Sequence, residues 1–222
     1  MRLTPLLVAL AAVLALASAA CSFTKDQYFV VNNKTHPVRT SPLLDYVFTP
    51  DDAFSYYDTG KEYKGVGWTG YLLNVTSQRW MEDVSTHPVW WHNVLVIRPH
   101  HLNNDTNIGA LYVTGDNNEE GRTPKELSAD VIVASTLAVE SNSVVAILYN
   151  IPNQKMAFKK PDGTFTDNLS EDGLVAYTWA QYVNAPARAE QVVYLPMVKS
   201  VFATMDAVTN YTSNAKFQRD GT

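Results

Sequence analysis

The sequence predicts an α/β fold in which opening antiparallel strands are followed by parallel strand and helix units, and three observations carry that prediction. Val144 to Tyr149 is a run of six apolar or aromatic residues. It is too short for a core helix and too continuous for a half-exposed strand, so it reads as a strand covered on both faces. Upstream, Leu127, Val131, Ala134, Leu137 and Ala138 recur at helical spacing behind a Thr123-Pro124 start, with proline at the first helical position. Before that helix, Ile108 to Thr114 is a third β-rich run. The span from Ile108 to Tyr149 therefore has the length of a strand, helix, strand crossover.

Taken in order, the chain divides into four parts. Arg2, the uncharged run Leu3 to Ala20 and the small-residue cluster Ala17 to Ala20 have the form of a secretory leader, assigned to residues 1–20. Pro5 interrupts the run, and its apolar remainder is shorter than the roughly 20 residues that span a bilayer. Residues 21–65 hold Pro37, Pro42 and Pro50 without a sustained period and read as an irregular lead-in, with one short helical turn near Ser41 to Val47. Residues 66–209 carry the sheet and its helices: strands over Trp68 to Trp80 and Trp90 to Ile97, joined by Val84 to Pro88 as a hairpin connection, then the crossover. Further helices are predicted over Gly173 to Val183 and from Leu195 to Val208. Residues 210–222 read as a polar tail.

Composition excludes several function classes. The chain has 222 residues, 46% hydrophobic and 18% charged, with a net charge of −5. An acidic balance offers no electrostatic footprint for nucleic acid or for an anionic membrane surface. Cys21 is the only cysteine, so no intramolecular disulfide forms and burial must stabilise the fold. Sequons begin at Asn33, Asn74, Asn104, Asn168 and Asn210. Together with a leader, they point to an extracellular glycoprotein.

In open α/β sheets, ligands bind outside the carboxyl ends of the strands. There the sequence places Asn150, Asn153 and Gln154, with Pro152 preventing any continuation of regular structure. These amides equally suit a turn that satisfies its own backbone. Opening antiparallel strands followed by parallel units point to a sheet of the hydrolase type, whose third-strand loop donates a backbone N–H to an oxyanion hole. That loop begins at Gly115, Asp116 and Asn117, which would serve as well in a plain acidic surface turn. A Gly-x-Ser-x-Gly elbow for a nucleophile is found nowhere in the sequence.

Other residue types do not fill that gap. His87 and His92 lie on or beside one strand, five positions apart, and so face opposite sides. His100-His101 has no nearby cysteine, and a solvated turn suits the pair better than a metal site. Glu171 and Asp172 could form an acid pair, yet at a helix start they read more naturally as caps. Trp80, Trp90, Trp91 and Trp179 read as core rather than a sugar platform. Neither a metal nor another cofactor is expected.

Four strings in order resemble one family. They are Leu73-Asn74-Val75-Thr76-Ser77-Gln78-Arg79-Trp80; His87-Pro88-Val89-Trp90-Trp91-His92 with Val96-Ile97-Arg98-Pro99; Ile151-Pro152-Asn153-Gln154; and Glu171-Asp172-Gly173-Leu174-Val175-Ala176-Tyr177-Thr178-Trp179. Continuing into Leu195-Pro196-Met197-Val198-Lys199 and Met205-Asp206, the chain resembles the PhoPQ-activated pathogenicity-related family, whose eukaryotic members include autocrine proliferation repressor-like proteins. The resemblance implies an α/β-hydrolase-like scaffold, with a peptide or ester substrate for the full-length protein. It also implies a nucleophile turn of Gly-x-Ser-Lys-Arg-Gly type after the Met-Asp helix, where this sequence becomes polar and stops. The expectation is thus an incomplete hydrolase-like domain, inert by itself. The alternative is a secreted signalling protein whose surface engages a cell-surface partner. In the first reading Gly115 to Asn117 and Asn150 to Gln154 edge the cleft.

Overall fold

The structure, a computed structural model, describes residues 28–31, 34–37, 41–103, 108–214 and 217. Strands β1 (Tyr28–Val31) and β2 (Lys34–Pro37) form a separate antiparallel ribbon. Helix α1 (Pro42–Phe48) is followed by β3 (Ser55–Gly65), β4 (Trp68–Arg79), β5 (Val89–Pro99) and β6 (Gly109–Val113). Helix α2 (Ala129–Ser141), β7 (Val144–Leu148), α3 (Glu171–Asn184) and α4 (Tyr194–Thr212) complete the order, with a 3-10 turn at Ala189–Gln191. Strands β3 to β7 form one sheet in the order β3-β4-β5-β7-β6.

The fold is mixed α/β, but its sheet is mostly antiparallel. The pairs β3/β4, β4/β5 and β5/β7 are antiparallel, and β6/β7 alone is parallel. The sequence thus predicts the crossover correctly but overstates the parallel content: it supplies one such unit. Alternation along the strands sorts the core into two layers. Leu95, Ile97, Val145 and Ile147 meet Val131, Ala134 and Ala138 of α2. Val94, Val96, Ala146 and Leu148 face the other way, toward Ala207 and Tyr211 of α4. A third cluster, beneath α3, joins Trp80, Trp90, Met156, Phe158 and Leu174.

Three boundaries differ from the sequence reading, each for a physical reason. Residues 55–65, assigned to the lead-in, form edge strand β3, in which Tyr63 is the single buried residue, so no alternation marks it. A two-residue turn, Val66-Gly67, joins it to β4, and Gly67 adopts φ +81°, a conformation that suits glycine. Helix α2 begins at Ala129 rather than Thr123, because the Ser128 side chain accepts the N–H of Val131 at 3.3 Å. The Pro124 carbonyl is taken instead by the Tyr63 hydroxyl at 2.8 Å, and Leu127 is left outside the helical face, 86% exposed. Helix α4 runs on to Thr212, and Phe217 of the expected polar tail is buried against Tyr71 and Tyr211. The short helical turn near Ser41 is a helix capped by Ser41, which accepts the Leu44 N–H.

Candidate functional site

The loops that follow β6 and β7 run side by side, because the parallel pairing does not stop where the strands do. Thr114 donates its N–H to Leu148 O at 2.9 Å, Ile151 to Thr114 O at 3.3 Å and Asn150 to Gly115 O at 3.4 Å. Farther out, Asn117 bridges Gln154, and Asn118 donates its N–H to Gln154 O at 2.6 Å. The structure therefore brings Gly115, Asp116 and Asn117 together with Asn150 and Gln154 at the carboxyl end of the only parallel pair among the described residues.

Asn150 is the hinge of this arrangement. It has φ +66°, a region that asparagine tolerates better than most side chains. Its Nδ2 donates to Asn117 O at 3.1 Å and also to Asn118 Oδ1. Asn118 Nδ2 in turn donates to Trp91 O at 3.0 Å, tying the loop to β5. On the far side, Gln154 Oε1 accepts the N–H of Glu171 at 2.7 Å and so fixes the start of α3. Asn153 Nδ2 reaches His87 O at 3.4 Å. Asn150, Asn153 and Gln154 are all buried, so their amides chiefly hold loops to one another.

The loop after β6 presents different chemistry. Gly115 is exposed, with nothing within 4 Å of the position a Cβ would occupy. The Asp116 carboxylate accepts the Asn117 N–H at 2.7 Å and pairs with Arg122 at 2.7 Å. The Asp116 charge beside it raises the Arg122 guanidinium above its usual range. Arg122 O accepts from Asn93 Nδ2 at 3.0 Å, which anchors the loop's far end to β5. The N–H groups of Asn117 and Asn118 are thus both engaged within the protein, and only the Gly115 end lies open.

Glu171 and Asp172 sit at the first turn of α3 with exposed side chains, and Ser170 makes no side-chain cap. Glu171 joins the site through its N–H to Gln154; the carboxylates do not converge on it. Trp80 and Trp90 are core, Trp91 is half-buried, and Trp179 is 42% exposed beside Tyr182 and Tyr194. Asn168 and Asn210 are exposed and Asn74 is half-buried in the middle of β4, while Asn33 and Asn104 lie outside the described residues. Among the described residues, no group of three or more His, Cys, Asp or Glu side chains could hold a metal, and no helix is long and apolar enough to cross a membrane.

One polar cluster escaped the sequence reading. Beneath the N-terminal half of α4, His92 Nε2 meets Ser77 Oγ at 2.9 Å, and Ser77 Oγ meets Ser200 Oγ at 3.0 Å. Gln78 Nε2 donates to Ser200 Oγ at 3.0 Å and Pro196 O at 2.7 Å, while Gln78 Oε1 accepts from the Tyr46 hydroxyl. His92, Ser77 and Ser200 are at most 1% exposed. Burial pushes the His92 imidazole down to about 4, although the Asn150 and Tyr149 backbone pulls it partly back. A serine and histidine so enclosed hold α4 to the sheet. Strand alternation puts Ser77 and His92 on one face; only the tertiary fold adds Ser200.

The fold and site define a mixed α/β protein with a strand-end rim. The chain belongs to the PhoPQ-activated pathogenicity-related protein family, which matches residues 43–220. It is similar to autocrine proliferation repressor protein A of Dictyostelium discoideum, at 35% identity over 173 residues, or 78% of this chain and 33% of that protein. The chain therefore spans about a third of that relative's length. No solved structure matches it.

Proposed function

We propose that these residues form the first portion of a secreted α/β-hydrolase-like domain, supplying one rim of a cleft for a peptide or ester substrate but no nucleophile. By itself this portion is catalytically inert. The observation that carries the reading is the strand order β4-β5-β7-β6 together with the joined loops beyond β6 and β7. In that arrangement the crevice lies outside the carboxyl ends of parallel strands. The oxyanion contribution falls to the main chain of Gly115 and Asp116, because the Asn117 N–H is taken by the Asp116 carboxylate. Secretion rests on the leader-like Leu3 to Ala20 run, and glycosylation on the exposed sequons at Asn168 and Asn210.

A fluorophosphonate probe tests the reading. The 222-residue chain is expected to remain unlabelled, and a longer product carrying the same residues is expected to label at one serine outside them. Stoichiometric labelling within the short chain would refute its inertness, and a folded longer product that never labels would refute the hydrolase reading. Glycosidase treatment of naturally secreted material should increase its gel mobility; unchanged mobility would remove the glycoprotein assignment.

A further inference from the structure

A small cavity of about 320 Å³ opens between strand β3 and the end of helix α4, lined by Tyr56, Tyr57, Asp58, Tyr211, Asn214 and Phe217. It shares no residue with the rim. Strand register decides which side chains face it. Tyr56 and Asp58 stand opposite Val75 and Leu73, which belong to the core layer beneath α4, so both side chains turn toward the helix. Tyr57, between them, turns its ring to the other face. Aromatic contact comes from Tyr56 on the strand and from the packed pair Tyr211 and Phe217, whose ring centres lie 5.6 Å apart.

The polar groups that β3 and Tyr211 bring to the cavity are acceptors. Asp58 Oδ1 accepts the Gly60 N–H at 2.8 Å, and Asp58 Oδ2 accepts the Tyr211 hydroxyl at 2.8 Å. Each carboxylate oxygen keeps a lone pair, and so does the phenol oxygen, whose proton is committed. Among the described residues Asp58 takes part in no ion pair. The lysines near it on β3 are engaged elsewhere: Lys61 donates to Thr123 Oγ1 at 2.8 Å and lies over the Tyr63 ring, and Lys64 pairs with Glu62. An unanswered carboxylate beside aromatic rings selects a cation that only donates hydrogen bonds.

Arg98 limits where that cation can sit. Its guanidinium lies 5.9 Å from the Phe217 ring centre, and Arg98 does not line the cavity. Like-charge repulsion disfavours a second cation at Phe217, so the incoming group belongs against Asp58, Tyr56 and the Tyr211 oxygen. A cavity of this size, at the lower end for ligand sites, suits one aliphatic amine.

We infer that the cavity between β3 and α4 is a binding site for an alkylammonium group, carried by a free amine or by a lysine side chain of a polypeptide. Asp58 supplies the counter-charge and Tyr56 an aromatic contact. The inference is independent of the hydrolase-like reading, since it needs neither a nucleophile nor the rim.

The test is titration of the 222-residue chain with n-butylammonium chloride and with acetyl-Gly-Lys-Gly-amide, followed by the chemical shift of the Gly60 amide, which donates to Asp58. Both ligands should bind saturably, and the uncharged isostere 1-butanol should not. Asp58→Asn, which keeps an acceptor for Gly60 and Tyr211, should weaken the ammonium by about tenfold or more. Tyr56→Leu, which keeps apolar contact, should weaken it about two- to fivefold. Binding to the unaltered chain should also weaken as salt rises from about 0.01 M to 1 M. Tighter binding of the peptide would assign the ammonium to a lysine side chain and equal binding to a free amine; both uphold the site. Butanol binding as tightly as butylammonium would show a merely apolar cavity and overturn the inference. So would undiminished binding in Asp58→Asn, binding to the unaltered chain that ignores salt, or no saturable shift at Gly60 in a chain that melts cooperatively. If the short chain does not melt cooperatively, the same titration of a longer product carrying these residues decides by the same outcomes.

Discussion

The two halves of the sheet are built to different standards. Strands β4 and β5 run 12 and 11 residues, and β5 is buried at every position from His92 to Pro99. Strand β6 has five residues, none of them buried. The loops of the candidate site hang from the β6/β7 pair, whose buried apolar residues are the four of β7, Val145 to Leu148, against ten in β4 and β5. Local stability follows buried apolar contact. The rim is therefore expected to open at a lower free energy than the β4/β5 core, and the contrast can be broken or sharpened by substitution.

The largest contrast comes from truncating one residue in each half. Trp90 is fully buried between Trp80 and His92, and Trp90→Ala should destabilise by about 3–5 kcal/mol. Val113 on β6 is 41% exposed, and Val113→Ala should cost no more than about 0.5 kcal/mol. Denaturant melts of the two variants measure both. Equal losses would mean that the sheet is uniformly cooperative and that the two-standard picture is wrong.

Acid should act on the better-built half through His92. The imidazole is neutral in the fold, with its pKa lowered from 6.5 to about 4 chiefly by burial. Below pH 6.5 the unfolded chain takes up a proton that the folded chain refuses until about pH 4. The stabilisation is thus complete above 6.5 and declines as pH falls toward 4, a loss of roughly 3 kcal/mol. A His92→Gln variant, which keeps a polar partner for Ser77, should melt with a shallower acid slope over that window. Parallel slopes in the two proteins would show that His92 is not the sensitive group.

What was legible in the sequence follows burial, strand by strand. Long alternating or continuous apolar runs announced β4, β5 and β7, because burial forces a period onto the residues. Strand β3 was missed because it is an edge with one buried residue, Tyr63, and exposed positions carry no period. The start of α2 was misplaced because Thr123-Pro124 imitates a cap, and only the tertiary contact between Tyr63 and Pro124 O reveals the chain passing by in another conformation. At the site, Asn150, Asn153 and Gln154 could be located past a strand end, but whether they face a ligand or each other depends on the neighbouring loop. The structure pairs them with that loop and with α3. The Ser77–His92–Ser200 cluster joins residues more than a hundred positions apart, beyond the reach of any local pattern.

A further comparison probes the hinge between the two loops. Asn150 contributes both a left-handed backbone, φ +66°, and side-chain donors to Asn117 O and Asn118 Oδ1. Asn150→Gly removes the donors and keeps the backbone at ease, so it should cost about 1–2 kcal/mol for the lost hydrogen bonds. Asn150→Ala removes the same donors and adds a Cβ in that region, for a further cost of about 1 kcal/mol. The difference between the variants isolates conformational strain, and the glycine value isolates the amide. Because the hinge belongs to the weaker half, both changes should appear first as faster hydrogen exchange in residues 114–118 and 150–154, ahead of any change in β4 and β5. Exchange that quickens in both halves together would place Asn150 in the global core and remove the distinction between a stable platform and a separately opening rim.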